Sequence, residues 1–141
     1  GLRVPLPLGD ITRGKLFELM PFENELVILT LDKNGMKEMF EYIASKEGIP
    51  ISKELQIIYE NWTYKSATIN GSPYDSTKTY KIVTSDYLAR GGDKMNFFEK
   101  NINTEKVDIK LRDAIIKFVE EEGKADRPIS AKLENRISNV E

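Results

Sequence analysis

The feature that most constrains the fold is an apolar strand that leads into an amphipathic helix. Residues 24–31, NELVILTL, are apolar throughout their centre, as is typical of a buried strand. After the turn-forming pair Asn34-Gly35, four apolar residues recur at the i, i+3, i+4 and i+7 spacing of one helical face: Met36, Met39, Phe40 and Ile43. Gly48 stands just past the last of them, where a helix can end. The segment therefore predicts a strand, a turn and a helix that share one core.

The remaining segments predict more strands than helices. Residues 55–60 and 63–69 resemble two strands, and the second leads to the strong turn signal Asn70-Gly71. Residues 79–86 alternate between two faces, as a strand does. We expect a short closing strand within residues 129–138.

Two further helices are expected. Thr12 can cap a short helix that Pro21 ends, with Leu16, Leu19 and Met20 on its apolar side. A second helix is predicted from about Asp108 to Gly123, and its expected buried side consists of Leu111, Ala114, Ile115, Phe118 and Val119.

Helices and strands are interleaved, yet hairpin signals outnumber strand–helix–strand crossovers. This order predicts an α+β fold with a largely antiparallel or mixed sheet. No repeat or linker divides the chain, so residues 1–141 are expected to form a single domain.

Composition excludes several kinds of activity. The chain has no histidine and no cysteine, which removes Ser-His-Asp and Cys-His catalysis and the usual ligands of zinc, copper and haem. With 21 basic and 23 acidic residues its net charge is −2, which gives no support for binding nucleic acid or an anionic membrane. The longest apolar run, residues 26–29, is far too short for a membrane span. Composition leaves only a carboxylate site for magnesium or calcium, or acid–base work by carboxylates. No acidic pair is marked out by its surroundings, and residues 32–35 lack the later glutamate of a calcium loop, so we expect no catalytic residue, no metal site and no cofactor in this chain.

The most suggestive local pattern is Gly91-Gly92-Asp93, which follows the aromatic residue Tyr87. Two glycines allow a backbone to approach a ligand, and a carboxylate can accept two hydrogen bonds from a sugar diol. Taken alone, the three residues are better explained as a structural turn than as a ligand site. In such a turn the glycines adopt positive φ angles and the aspartate caps the turn with its own side chain.

Several single aromatic and basic residues can also be interpreted either as ligand-binding residues or as ordinary structural ones. Tyr87, at the end of a predicted strand, and Phe22, after Pro21, could stack on a base or pack at the rim of the core. Arg3 could hold a phosphate, although an arginine near a terminus is usually only solvated. Trp62, Phe97 and Phe98 are assigned to packing.

Three ordered segments together resemble the C-terminal substrate-recognition domain of the 5′-nucleotidase family, which includes ecto-5′-nucleotidase and UDP-sugar hydrolase. Residues 1–12, GLRVPLPLGDIT, resemble its Gly-Gly-x-Arg segment and the Gly-Asp turn that follows. Residues 16–31 carry its Pro-Phe-x-Asn stretch ahead of a strand. Residues 70–93 resemble its pattern of Asn-Gly-x-Pro followed by an aromatic residue and Gly-Gly-Asp. The resemblance implies a layered α/β/β/α arrangement.

The resemblance also implies roles for individual residues. Phe22 and Tyr87 would enclose a nucleobase, and Asp93 would hold the ribose hydroxyls. Gly91 and Gly92 would allow the close approach. Arg3 would contact the substrate phosphate, and the Asn24 side chain would brace the turn at Phe22 rather than touch ligand.

The sequence departs from the family pattern at two places. Lys94 stands where the family often has glycine after Gly-Gly-Asp. The family's upstream arginines and its N-terminal metallophosphoesterase domain, with two divalent metal ions, are not in this chain. We therefore expect nucleotide or nucleoside recognition that depends on a catalytic domain in the same protein or in a separate partner chain, and we expect this chain alone to be inactive. By resemblance it would belong to the bacterial periplasm or the cell surface. An interaction domain that has kept the fold but lost ligand binding is the alternative.

Overall fold

The architecture comes from a computed structural model that describes residues 2–141 and contains two β-sheets. The helices are α1 (Arg13–Leu19), α2 (Lys33–Ser45), α3 (Asp86–Ala89) and α4 (Leu111–Lys124). The strands are β1 (Glu25–Leu31), β2 (Leu55–Glu60), β3 (Thr63–Ile69), β4 (Ser72–Pro73), β5 (Tyr80–Ser85), β6 (Asn103–Lys110) and β7 (Ile137–Val140). Two short 3₁₀ turns span Gly92–Lys94 and Asn96–Phe98. The predicted α+β class is confirmed.

The first sheet has three antiparallel strands in the order β5-β1-β6. β1 lies at its centre, with Val27, Leu29 and Leu31 buried on one face and the alternate residues half-buried. Strand β6 was not predicted, and the helix expected from Asp108 begins only at Leu111. Residues 103–110 carry mostly polar side chains, so pairing with β1 rather than an apolar pattern makes them a strand.

The second sheet has four strands in the order β4-β3-β2-β7. The two predicted strands β2 and β3 pair as an antiparallel hairpin, and Asn70 and Gly71 turn the chain into β4 with φ angles of 52° and 79°. These left-handed angles explain why that pair of residue types occurs there. The closing strand β7 pairs in parallel with β2 but starts at Ile137, so it overlaps only the last two residues of the predicted 129–138 segment.

Helix α2 packs against both sheets and supplies the centre of the main core. Its buried face consists of the four residues predicted from their spacing, together with Gly35. The predicted turn pair at Asn34-Gly35 lies inside the first turn of α2, because Asp32 caps the helix and accepts a hydrogen bond from the Gly35 amide at 3.0 Å. Phe97 and Phe98 are buried in the same core, as expected. Each such side chain contributes about 1.5–3 kcal/mol by leaving water.

Helices α1 and α4 form a smaller core of their own, centred on Leu16, Leu19 and Ile116. The cap predicted for α1 is present, because the Thr12 hydroxyl accepts a hydrogen bond from the Lys15 amide at 3.2 Å. The buried face predicted for α4 was wrong in part. Arg112 and Ile116 are its buried residues, whereas the Phe118 ring is 53% exposed. The face of α4 that is buried therefore differs from the predicted face, because the helix packs against the short helix α1 and the edge strand β6.

Candidate functional site

Antiparallel pairing brings the start of β1 to the end of β5. Leu26 pairs with Ser85, and the Glu25 amide donates a hydrogen bond to Asp86 Oδ1 at 3.2 Å. Phe22 lies three residues before Glu25, and Tyr87 directly follows Asp86. The two rings, 65 residues apart in sequence, therefore belong to the same end of the first sheet. They remain accessible, with Phe22 37% and Tyr87 48% exposed.

Tyr87 is fixed by the loop that follows it. It lies in α3, which Ser85 caps by accepting a hydrogen bond from the Leu88 amide at 3.2 Å. The Tyr87 hydroxyl donates to Asp93 Oδ1 at 3.1 Å. The Tyr42 hydroxyl of α2 donates to the Asp93 carbonyl at 2.9 Å. Asp93 is thus placed beside the Tyr87 ring with its carboxylate exposed.

The two glycines of this loop are required by the loop's own geometry. Gly91 has a φ of 82°, a left-handed conformation that glycine adopts without steric cost. A Cβ atom on Gly92 would lie 2.5 Å from Tyr87 Cε1 and 2.6 Å from the Tyr87 carbonyl oxygen. Gly92 therefore leaves the space that the Tyr87 ring occupies.

Asp93 and Lys94 are also left-handed, with φ angles of 53° and 65°. Lys94 stands where the family often has glycine, and this angle gives the physical reason for that preference. Lysine in this left-handed conformation carries backbone strain.

The structure brings Arg3 to Phe22. The Arg3 guanidinium carbon lies 4.8 Å from the centre of the Phe22 ring, within the range of a cation–π contact. The Arg3 amide also donates to the Leu19 carbonyl at 3.0 Å, which fixes this segment beside α1. Asn24 anchors the chain behind Phe22 through its carbonyl, which accepts from the Leu111 amide at 2.8 Å.

A group of charged residues around Glu23, the residue after Phe22, was missed by the sequence reasoning. Arg112, only 6% exposed, donates to Glu23 Oε1 at 2.5 Å, and Lys110 also bonds the Glu23 carboxylate. These two hydrogen bonds, that of Lys110 first, lower the pKa of Glu23 to about 2, although the carboxylate remains largely exposed. Nothing in the local sequence marks this cluster, because Glu23 lies 87 and 89 residues before Lys110 and Arg112 and meets them only in the folded chain.

A separate groove of about 680 Å³ lies between α2 and the β2–β3 hairpin. None of the predicted site residues lines it. Its walls include Phe40, Tyr64, Tyr74 and Trp62, and the Trp62 ring packs 5.7 Å from Tyr59, in line with the packing role expected for it.

Within residues 2–141, no three acidic side chains are grouped so that they could hold a metal ion. Among the helices of that same range, none combines the length and the apolar character needed to cross a membrane.

Comparison with known sequences defines the class of this domain. The sequence profile described as "5'-nucleotidase, C-terminal domain" matches residues 1–100. The chain belongs to this family, and the resemblance noted in its sequence is confirmed.

Among curated proteins, an apyrase from Tabanus yao is 26% identical over an alignment 162 positions long, gaps included, which covers 100% of this chain and 28% of that protein. The trifunctional nucleotide phosphoesterase YfkN from Bacillus subtilis is 26% identical, covering 99% of this chain and 10% of that protein. UshA from Escherichia coli is 27% identical over 66% of this chain and 18% of its own length. The chain thus spans between about a tenth and just over a quarter of these relatives.

Solved structures confirm the fold. A 5′-nucleotidase precursor from Thermus thermophilus superimposes with a TM-score of 0.78 at 20% identity, covering 99% of this chain and 30% of that one. The NAD nucleotidase NadN from Haemophilus influenzae gives a TM-score of 0.70 at 19% identity, over 93% of this chain and 27% of that one. Nothing in these comparisons supports the alternative of an interaction domain without ligand binding. They also do not restrict the chain to bacteria, since a snake venom 5′-nucleotidase is among its relatives.

Proposed function

We propose that this chain is the nucleotide- or nucleoside-recognition domain of a 5′-nucleotidase-like phosphohydrolase. The observation that carries the proposal is the position of two exposed rings, Phe22 and Tyr87, at one end of the first sheet, with the Asp93 carboxylate beside one of them. Both rings are accessible to a ligand, and a base stacked on one such ring contributes about 1–3 kcal/mol.

In this proposal Phe22 and Tyr87 stack on the base, and Asp93 binds the ribose. A carboxylate can accept several hydrogen bonds, so Asp93 retains acceptor capacity for the sugar hydroxyls after accepting one from Tyr87. Gly91 and Gly92 serve the site through the loop, since they allow it to fold against Tyr87.

Arg3 is proposed to meet the phosphate. Its contact with Phe22 supports this assignment, because it puts a cation next to one of the two base-binding rings. A guanidinium provides a planar set of donors that matches a phosphate. The contact with an exposed ring is worth only about 0.5–1 kcal/mol, so a phosphate can compete for the guanidinium.

Hydrolysis is proposed to take place in a metallophosphoesterase domain with two divalent metal ions, in the same protein or in a partner chain. This chain lacks histidine, and it spans only part of relatives whose names include nucleotide phosphoesterase and apyrase. Pure chain supplied with divalent metal should therefore release no phosphate from AMP. A periplasmic or cell-surface location is proposed with it, supported by a relative that is a venom protein.

Calorimetric titration with adenosine and AMP tests the recognition role. Phe22→Ala and Tyr87→Ala should each weaken adenosine binding by about 5- to 150-fold, the equivalent of losing one stacking contact. Asp93→Asn should weaken adenosine and AMP alike, whereas Arg3→Ala should weaken AMP more than adenosine.

Phe118→Ala is the matched control, because this ring is also exposed but lies on α4. It should leave both affinities unchanged. The proposal is wrong if Phe22→Ala and Tyr87→Ala bind adenosine as tightly as Phe118→Ala does.

A further inference from the structure

The segment that carries Phe22 is attached to the β6–α4 junction. Three consecutive residues of that junction bond it. Lys110 bonds the Glu23 carboxylate, the Leu111 amide donates to the Asn24 carbonyl at 2.8 Å, and Arg112 bonds Glu23. The segment between Met20 and Asn24 is thereby fixed along its length rather than at one point.

Arg112 holds this segment on both sides of Phe22. One guanidinium nitrogen, Nη1, donates to the Met20 carbonyl at 3.3 Å, and the other, Nη2, donates to Glu23 Oε1 at 2.5 Å. Met20 lies two residues before Phe22 and Glu23 one residue after it. The planar guanidinium fixes the angle between its donors, so the two acceptors are held at a defined separation.

Burying the Arg112 side chain, which holds Met20 and Glu23, costs free energy. It is 6% exposed, and its Nε has no hydrogen-bond partner among the described residues. Its guanidinium carbon lies 4.0 Å from the centre of the Phe17 ring, which supports the group from α1. An apolar residue could fill this position without leaving a buried donor unpaired, so stability alone does not require an arginine here.

We propose that Arg112 is a positioning residue for Phe22, which it reaches through Met20 and Glu23. The inference rests on the proposed function, because it assigns Arg112 the task of ordering the base-binding ring before ligand arrives. A ring that is already ordered saves the cost of ordering it during binding.

A double-mutant cycle tests this inference, using adenosine affinity and urea unfolding of the full chain. Arg112→Met keeps an unbranched apolar side chain at this position and removes both hydrogen bonds. We expect it to weaken adenosine binding about tenfold. This corresponds to about 1.4 kcal/mol, the free energy of ordering the Phe22 ring during binding instead of before it. In a Phe22→Ala background, the same substitution should change affinity less than twofold, since the ring that it positions is gone.

Unfolding separates positioning from a general loss of stability. Arg112→Met should change the urea midpoint by the same amount with and without Phe22→Ala, whereas its effect on affinity should depend on Phe22. If Arg112→Met fails to fold, Arg112→Lys replaces it in the cycle. Lysine keeps the charge but cannot span both acceptors, and a loss of about threefold in affinity is expected, again only when Phe22 is present.

The outcomes distinguish this inference from the proposed function. Adenosine affinity within twofold of wild type for the Arg112 variants, or an equal loss in the Phe22→Ala background, overturns the positioning role alone. If the wild-type chain does not bind adenosine, or if Phe22→Ala binds it normally, the proposed function fails and the positioning role fails with it.

Discussion

Replacing Gly92 by alanine should destabilise the loop that carries Asp93. The added Cβ would lie 2.5 Å from Tyr87 Cε1 and 2.6 Å from the Tyr87 carbonyl oxygen, about 1 Å closer than ordinary contacts. Rotation of the Tyr87 ring can relieve the first overlap but not the second, because the oxygen belongs to the backbone. Overpacking of this kind costs about 1–3 kcal/mol.

The thermal shift follows from the size of the domain. For 141 residues the unfolding entropy is about 0.3 kcal/mol per kelvin, so the melting temperature should fall by about 3–10 °C. Differential scanning calorimetry measures this shift directly. Since the substitution also displaces Tyr87 from Asp93, adenosine affinity should fall in the same variant.

Gly123→Ala provides a matched control with the opposite sign. Gly123 lies in the last turn of α4, and apart from that helix's own backbone a Cβ atom there would meet no atom within 4 Å. Alanine should stabilise that helix by about 0.5–1 kcal/mol. If Gly92→Ala melts within 1 °C of wild type while Gly123→Ala shows its gain, the proposed packing of Tyr87 on Gly92 is wrong.

Two further substitutions test the loop strain and the charged cluster. Lys94→Gly should raise the melting temperature by up to about 5 °C. Removing a left-handed lysine relieves about 1–2 kcal/mol of strain, and the greater freedom of the unfolded chain offsets about 0.4–1 kcal/mol of that gain; a lower melting temperature in calorimetry would contradict this. Glu23→Gln should be less stable than wild type at neutral pH, since the folded pKa of Glu23, about 2, lies below its ordinary value of 4.5. The stabilisation by the Glu23 carboxylate is complete above pH 4.5 and is lost as the pH falls towards 2. The urea midpoints of wild type and Glu23→Gln should therefore converge over that range. A difference in midpoint that does not change with pH would rule out the ion pairs of Glu23 as its source.

The elements that the sequence predicts well are those whose signals are local. The buried face of α2 follows from the spacing of Met36, Met39, Phe40 and Ile43, and the cap of α1 follows from Thr12. The turn at Asn70-Gly71 also depends only on its two residues, since left-handed φ angles are cheap for those residue types. In each case the residues that form the feature are neighbours in the chain.

The prediction failed where distant parts of the chain decide the outcome. Residues 103–110 have little apolar periodicity, and they become strand β6 because β1 offers an unpaired edge. Phe118 is exposed and Arg112 buried because packing against α1 and the segment around Phe22 fixes the rotation of α4.

The candidate site combines both kinds of information. The sequence by itself determined the absence of histidine and cysteine chemistry, the presence of the Gly-Gly-Asp turn and the identity of the exposed rings as candidates. Only the tertiary structure decided that Phe22 and Tyr87 share one end of a sheet, that Gly92 makes room for Tyr87, and that Arg112 holds the segment around Phe22. The physical reason is that the type of a residue determines which groups its side chain can bind. Which groups it does contact depends on strand register and helix rotation, and these are fixed by contacts between residues far apart in the chain.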